Sequence, residues 1–112
     1  MMKIEAILRE EKLDVVKSAL EEVGYHGMTV SEVSGRGRQG GLTLQWRVGE
    51  YKVDLMPKIK IEVVVIDEDL PKTLNAIRAA ARTGEIGDGK IFVLPVYDAV
   101  RVRTGEAGDD AI

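Results

Sequence analysis

The segment at residues 57–67, PKIKIEVVVID, constrains the fold more than any other part of the sequence. Four apolar residues at every second position share one face of a β-strand: Ile59, Ile61, Val63 and Val65. The opposite face also ends in apolar residues, Val64 and Ile66. Because apolar residues on both faces of a strand favour burial on both, this strand needs cover on each side of its sheet.

The other patterned segments give the order of strands and helices. Residues 2–9 and 28–35 have strand patterns, and residues 90–96 read as a strand that is apolar on both faces. Two helices are predicted from apolar residues at helical spacing, namely Leu13, Val16, Leu20 and Val23 before Gly24, and Leu70, Leu74, Ile77 and Ala81 before Gly84. The order βαββαβ predicts an α+β, ferredoxin-like fold with an antiparallel sheet and both helices on one face.

Two helices cover only one face of such a sheet. The apolar residues on the second face, at Val64 and Ile66 and within 90–96, therefore predict burial between subunits and an obligate oligomer. Scattered exposed valines are the alternative interpretation.

Composition narrows the functional classes. The 112 residues predict one domain, 1–112, and a net charge of −3 argues against a protein that coats polyanions. The absence of cysteine excludes disulfides, thiolate metal sites and cysteine nucleophiles. No segment has the length or apolarity of a signal peptide or membrane span, so we expect a cytoplasmic protein without direct membrane insertion.

A glycine-rich turn at residues 83–90 precedes the last predicted strand. Its sequence GEIGDGKI has the Walker spacing, but Ile91 stands where a P-loop has Ser or Thr, and the turn leads from helix to strand. A P-loop is therefore excluded. Two interpretations remain: a tight turn, or an anion site in which the backbone N–H groups near Gly87 and Gly89 converge beside Lys90.

Basic residues elsewhere support the anion site. Arg101 and Arg103 project to the same side if residues 99–103 are extended, which suits phosphate binding, although solvated arginines are the alternative. The segment GRGRQGG at 35–41 adds further arginines and Gln39, and Lys58 follows the long loop at 36–56. Loops of that length in compact domains are usually functional or mobile. Together these segments predict an anionic-ligand site assembled from several parts of the chain.

The whole chain resembles the nitrogen-regulatory PII signal-transduction proteins. The resemblance rests on TGEIGDGKIFVLPV, on RVRTGE with the ending DDAI, on GRGRQGG and on YKVDLMPKIKIEVVV. It implies a homotrimer with ATP or ADP in the clefts between subunits. The matching nucleotide residues are Gly35, Arg38, Gly87, Asp88, Gly89 and Lys90 from one subunit, Arg101 and Arg103 from the next, and Thr29 and Glu62 on the adenine side.

The resemblance also implies a second ligand and a regulatory output. It implies that 2-oxoglutarate binds with Mg²⁺-ATP at the base of the loop at 36–56, called the T-loop. Gln39 would coordinate Mg²⁺, Lys58 would pair with a carboxylate, and backbone amides near Gly37 to Gly41 would donate hydrogen bonds. The T-loop would then regulate a partner, either an Amt-type ammonium transporter at the membrane or an enzyme of nitrogen metabolism.

The T-loop tip departs from the family pattern. Many bacterial members read Y-R-G-A-E-Y with a modified last tyrosine, whereas this chain reads WRVGEY at 46–51. Arg47 matches the arginine that enters the transporter pore, and Tyr51 is interpreted as a partner contact and an open candidate for modification. Trp46 is either an interface anchor or an aromatic that folds back on its own subunit.

Other functional classes are weaker. RNA binding by a ferredoxin-like sheet needs stacked aromatics, and only Phe92 and Tyr97 fall near a predicted strand. A nucleotide-dependent enzyme is a further alternative, but the single histidine, His26, lies in a turn and no base stands near the glycine-rich turn. The third alternative is a PII-like regulator of another partner without 2-oxoglutarate coupling.

Overall fold

The part of the chain that the structure describes forms six strands and two α-helices. The structure, a computed structural model, describes residues 1–37, 42–46, 49–53 and 55–112, with 42–46 and 49–53 described by their backbone. The strands are β1 (Met2–Leu8), β2 (Thr29–Gly35), β3 (Leu42–Trp46), β4 (Gly49–Val53), β5 (Met56–Val65) and β6 (Gly89–Pro95). The helices are α1 (Leu13–Glu22) and α2 (Leu70–Ala81), each preceded by a short 3₁₀ turn, at Glu10–Lys12 and Asp67–Asp69.

Four strands make one antiparallel sheet in the order β2-β5-β1-β6. This confirms the predicted α+β fold with the βαββαβ order of its main elements. The two central strands are β5 and β1. The strand pattern that most constrains the fold, which begins at residue 57, therefore lies inside the sheet as part of β5. Met2 pairs with Val65 and Leu8 with Ile59, which sets the two buried rows side by side.

The core lies between one face of the sheet and the two helices. Strand residues at alternating positions and two residues from each helix are at most 5% exposed: Ile4, Ala6, Leu8, Ile59, Ile61, Val63, Val65, Val16, Leu20, Ile77 and Ala81. Burial of such a cluster is the main favourable term for this fold. One polar side chain, Thr73, is also fully buried, and its hydroxyl donates to the Asp69 carbonyl at 2.7 Å.

Both described helices pack on one face of the sheet, and the second face carries neither of them. Phe92 and Leu94 on β6 are 47% and 38% exposed there, because no described residues cover them. Ion pairs occupy the centre of this face, with Lys3 3.0 Å from Glu5 and Lys60 3.3 Å from Glu62. This face is therefore mixed, polar toward its middle and apolar along β6.

Two segments differ from the sequence prediction. The region between β2 and β5, predicted as a loop without strong period, contains the antiparallel pair β3 and β4 in a sheet of its own. Residues 99–103, predicted as a strand, make only a single bridge, between Val100 and Ala107. The chain reverses there because Gly105, at a φ of 75°, allows its N–H to donate to the Arg101 carbonyl at 2.8 Å.

Candidate functional site

The glycine-rich turn requires glycine for two separate reasons. Gly84, Gly87 and Gly89 have φ values of 89°, 101° and 97°, which side-chain-bearing residues rarely adopt. At Gly89 a Cβ would also lie 1.8 Å from the carbonyl oxygen of Ile7. The turn therefore approaches β1 so closely that only glycine fits at its last position.

Asp88 holds this turn together from inside. Its carboxylate accepts hydrogen bonds from the N–H groups of Thr83 at 3.0 Å and Gly84 at 2.9 Å, and from the Thr83 hydroxyl. These bonds, first the one from the Thr83 hydroxyl and then that from the Gly84 amide, hold the pKa of Asp88 well below its ordinary range. The side chain predicted to contact a ligand is thus engaged within its own loop.

Among the described residues, two cations bind carbonyl oxygens of the turn. Arg9, at the end of β1, donates through Nη2 to the Ile86 carbonyl at 2.7 Å and through Nε to Asp88 at 3.2 Å. Lys58, on β5, donates through Nζ to the Gly87 carbonyl at 2.7 Å. Sequence reasoning identified Lys58 but missed Arg9, because Arg9 contacts residues 77 and 79 positions away and belongs to no local motif.

The helix-free face of the sheet carries five of the predicted ligand residues: Thr29, Gly35, Lys58, Glu62 and Lys90. Directly paired residues share a face, and Val33 pairs with Lys58 while Thr29 pairs with Glu62. A Cβ built on Gly35 would lie 3.7 Å from the Lys58 Cγ, so this glycine lies against the lysine stem. On the same face, Lys90 pairs with Ile7 across β6 and β1.

Arg101 and Arg103 are not brought to this cluster within one chain. Arg101 donates through Nε to the Ala111 carbonyl at 3.2 Å and lies 4.0 Å from Glu106. Both arginines lie in the C-terminal turn, whose Val102 is fully exposed. Any contact between these arginines and the glycine-rich turn therefore requires a second copy of the chain or a rearrangement.

The remaining predicted site residues belong to the T-loop. Arg38, Gln39, Gly41 and Arg47 lie outside the described residues, and Trp46 and Tyr51 are described by backbone alone, as part of β3 and β4. Gly37 follows β2 without regular structure. Within the described ranges, no group of three His, Asp or Glu side chains has the arrangement of a metal site.

A shallow cleft of about 320 Å³ opens beside the turn on the opposite side of β6. It is lined by residues of α2, of β1 and of the turn: Leu8, Arg78, Ala81, Arg82, Asp88, Gly89, Lys90 and Ile91. Leu8 and Ala81 belong to the helix-covered face, whereas Lys58, Thr29 and Glu62 lie on the other face. This cleft therefore shares Asp88, Gly89 and Lys90 with the predicted nucleotide residues, but Lys58, Thr29 and Glu62 do not line it.

Comparison with known proteins decides which family this arrangement belongs to. Residues 1–106 match the family model described as nitrogen regulatory protein P-II. The chain is a member of the P-II family. "Nitrogen regulatory protein P-II 1" of Methanothermobacter thermautotrophicus is 59% identical over all of this chain and 97% of its own length. The P-II protein of Azospirillum brasilense is 58% identical over the full length of both.

A solved P-II structure agrees with the fold. The structure described as Arabidopsis thaliana PII bound to citrate superimposes with a TM-score of 0.82 at 44% identity, covering 99% of this chain and 91% of the plant chain. This P-II chain is therefore a nitrogen regulatory signal protein, and because the family is non-catalytic, the prediction that it is not an enzyme is confirmed. In the described part of the chain, no helix has the length and apolarity needed to cross a membrane.

Proposed function

We propose that this P-II protein senses nitrogen and energy status by binding ATP or ADP together with 2-oxoglutarate in clefts of a homotrimer. The observation that carries the proposal is the 2.7 Å hydrogen bond from Lys58 Nζ to the Gly87 carbonyl. It joins the base of the T-loop to the glycine-rich turn, so the residue proposed for the keto acid touches the loop proposed for the nucleotide. Two ligands at such adjacent sites would influence each other directly.

The nucleotide half of the proposal rests on the glycine-rich turn. Gly87 and Gly89 supply the positive φ values that shape the main chain of the turn, and Lys90 follows at the start of β6. We assign the phosphates to the main chain of residues 87–89 with Lys90, and the adenine to Thr29 and Glu62, which pair directly across β2 and β5. Gly35 and Arg38 complete this wall.

The neighbouring subunit would complete the cleft. Arg101 and Arg103 lie away from the turn of their own chain, and we assign them to the phosphates bound by the next subunit. The exposed Phe92 and Leu94 on the helix-free face support such assembly, because contact with another copy would remove their apolar surface from water. A trimer satisfies both requirements.

The second ligand would be a small dicarboxylate. Lys58 would bind one carboxylate of 2-oxoglutarate, Gln39 would hold Mg²⁺ together with ATP, and the backbone amides of Gly37 and Gly41 would donate hydrogen bonds. Mg²⁺ bound this way orients the phosphates and the keto acid relative to each other. The Arabidopsis protein is described as bound to citrate, which is a related polycarboxylate, and this supports a carboxylate ligand here.

The output would be the conformation of the T-loop. ATP with 2-oxoglutarate favours one conformation and ADP another, and a partner that accepts only one of them reads the ligand state. The proposed partner is an Amt-type ammonium transporter. The P-II protein, located in the cytoplasm, would contact this transporter through Trp46, Arg47 and Tyr51. An enzyme of nitrogen metabolism is the alternative partner.

Calorimetric titration tests the ligand half of this proposal. ATP and ADP are each titrated with and without 2-oxoglutarate and Mg²⁺, and we expect 2-oxoglutarate to bind only in the presence of Mg²⁺-ATP. Gln39→Ala and Lys58→Ala should abolish that second binding, whereas Lys17→Ala, at an exposed position on α1, serves as the charge-matched control. Equal binding of 2-oxoglutarate with ADP, or no binding at all, contradicts the coupling.

A separate variant tests the shared cleft. Arg103→Ala should weaken ATP binding although Arg103 lies far from Lys90 in the chain. Unchanged ATP affinity in Arg103→Ala, with wild-type assembly by light scattering, would contradict a cleft that two subunits share.

A further inference from the structure

Among the described residues, Arg9 is the side chain that contacts both a carbonyl and the carboxylate of the glycine-rich turn, those of Ile86 and Asp88. Nη2 donates to the Ile86 carbonyl at 2.7 Å, and Nε donates to Asp88 Oδ1 at 3.2 Å. A Cβ on Gly87 would lie 3.2 Å from Nη2, so the guanidinium is packed against the backbone of the turn. About a quarter of each of the two charged side chains is exposed, at 25% and 26%, so this contact is partly shielded from water.

The contacts of Arg9 extend through Asp88 to the start of the turn. Asp88 Oδ2 accepts from the N–H groups of Thr83 and Gly84, while Oδ1 accepts from Arg9. Arg9 is fixed in turn by β1, which pairs with both β5 and β6. Arg9 therefore links a central strand of the sheet to both ends of the turn.

Lys58 makes a different kind of contact. It donates one hydrogen bond, to the neutral Gly87 carbonyl, and in the proposed function this lysine also binds the keto acid. A single ammonium group that pairs with a carboxylate is drawn away from a neutral carbonyl, because charge-assisted hydrogen bonds are the stronger ones. The turn then depends on Arg9, the other described cation that contacts it.

We infer that Arg9 is the positioning residue of the nucleotide turn, holding residues 86–88 in their ligand-ready shape whether or not Lys58 is engaged. The inference rests on the proposed function for the identity of the ligand, but the shape of the turn is measurable without any ligand. Arg9 reaches the two acceptors from separate nitrogens, Nε and Nη2, whereas a lysine at position 9 retains the charge but carries all its donors on one nitrogen, so we expect it to hold the two acceptors less well.

Two measurements on Arg9→Ala, Arg9→Lys and wild type test the inference. Hydrogen exchange of the ligand-free protein measures the exchange rates of the Thr83 and Gly84 amides, which donate to Asp88. The amide of Ile61, on the central strand β5, serves as the internal reference. Titration with ATP reports the ligand affinity. Lys17→Ala controls for the lost charge.

We expect exchange at Thr83 and Gly84 to accelerate at least about tenfold in Arg9→Ala while Ile61 stays protected, since the loss of hydrogen bonds to a charged group is worth roughly one to two decades. ATP affinity should fall about 10- to 100-fold in Arg9→Ala and less in Arg9→Lys. Arg9→Lys keeps the aliphatic stem and charge, so it decides the matter if Arg9→Ala fails to fold.

Wild-type protection of Thr83 and Gly84 in both variants would overturn the inference, as would unchanged ATP affinity in Arg9→Ala. If wild type binds no nucleotide, the proposed function fails and the exchange measurement alone decides whether Arg9 positions the turn.

Discussion

Replacing Gly89 with alanine tests whether the turn owes its position to close contact with β1. The structure separates two costs of that methyl group. At a φ of 97° an alanine is strained by about 1–2 kcal/mol, whatever space surrounds it. The Cβ also lies 1.8 Å from the Ile7 carbonyl, well inside the 3.4 Å at which ordinary contact begins.

The second cost requires the two strands to separate. Relief of a contact short by more than 1 Å forces β6 away from β1 near the pair of Leu8 and Gly89, and ladder hydrogen bonds there are weakened. Overpacking of this kind costs about 1–3 kcal/mol. We therefore expect Gly89→Ala to lower the free energy of unfolding by about 2–5 kcal/mol in total.

Other glycines of the chain supply matched controls. Gly24 has nearly the same φ, 95°, but a Cβ there meets nothing within 4 Å, so Gly24→Ala reports the backbone strain alone. Gly27 has neither a positive φ nor a close neighbour, so Gly27→Ala should be neutral or stabilising by up to about 1 kcal/mol.

Urea unfolding of all four proteins at one protein concentration measures the differences, because assembly makes apparent stability depend on concentration. We expect Gly89→Ala to be clearly less stable than Gly24→Ala. Equal losses for the two variants would show that the contact with Ile7 contributes nothing, and the reasoning from close approach would be refuted.

Three further predictions concern the carboxylate of Asp88, the hydroxyl of Tyr25 and the helix-free face of the sheet at Phe92. The pKa of Asp88 is lowered in the folded protein, so the Asp88 carboxylate stabilises the fold at pH values above its ordinary pKa of 3.8. This stabilisation is lost as the pH falls toward the lowered pKa. The difference in free energy of unfolding between wild type and Asp88→Asn should therefore become smaller in unfolding curves measured at acid pH. Tyr25→Phe should cost about 1–3 kcal/mol in urea unfolding at pH 7, since the hydroxyl donates to Asp69 at 2.6 Å and accepts from the Ile66 amide at 3.2 Å. Burial and the hydrogen bond to Asp69 raise the pKa of Tyr25, so the stabilisation by the Tyr25 hydroxyl should persist below pH 10.0 and fall at higher pH. A stability difference between wild type and Tyr25→Phe that stays constant across this pH range would contradict the prediction. Phe92→Glu should reduce the mass measured by light scattering from that of an oligomer toward that of one chain, and a monomeric wild type would contradict the assembly.

The sequence predicted the main elements because their signals are local. The alternation at Ile59, Ile61, Val63 and Val65 defines a strand, and all four residues are buried in the structure. Residues such as Val16, Leu20, Ile77 and Ala81 at helical spacing are buried too. Each of these patterns lies within one segment, where a period of two or of 3.6 residues is visible without knowledge of the fold.

Two secondary-structure predictions were wrong because a local pattern was weighed against neighbouring glycines incorrectly. Leu42, Leu44 and Trp46 alternate with polar residues, yet glycines on both sides made the region read as a loop, and β3 and β4 were missed. The C-terminal strand was predicted from the alternation in AVRVR, which ignored the reversal that Gly105 allows.

Contacts between distant segments were beyond the reach of sequence patterns. The family resemblance implied a nucleotide-site role for Asp88, which stays a prediction, and sequence patterns gave no sign of its bonds to Thr83, Gly84 and Arg9. The approach of Arg9 and Lys58 to the turn depends on the pairing of β1 and β5, which only the folded sheet establishes. The roles of the other proposed ligand residues remain predictions.

The pair of β3 and β4 belongs to no ladder of the four-stranded sheet in the described residues. The sheet is closed beneath it, where Gly35 pairs with Met56. The pairing of the core strands therefore does not pass through β3 and β4, so substitutions on these two strands leave that pairing in place. In a protein built this way, residues 42–46 and 49–53 can diverge between lineages while the four-stranded sheet stays the same.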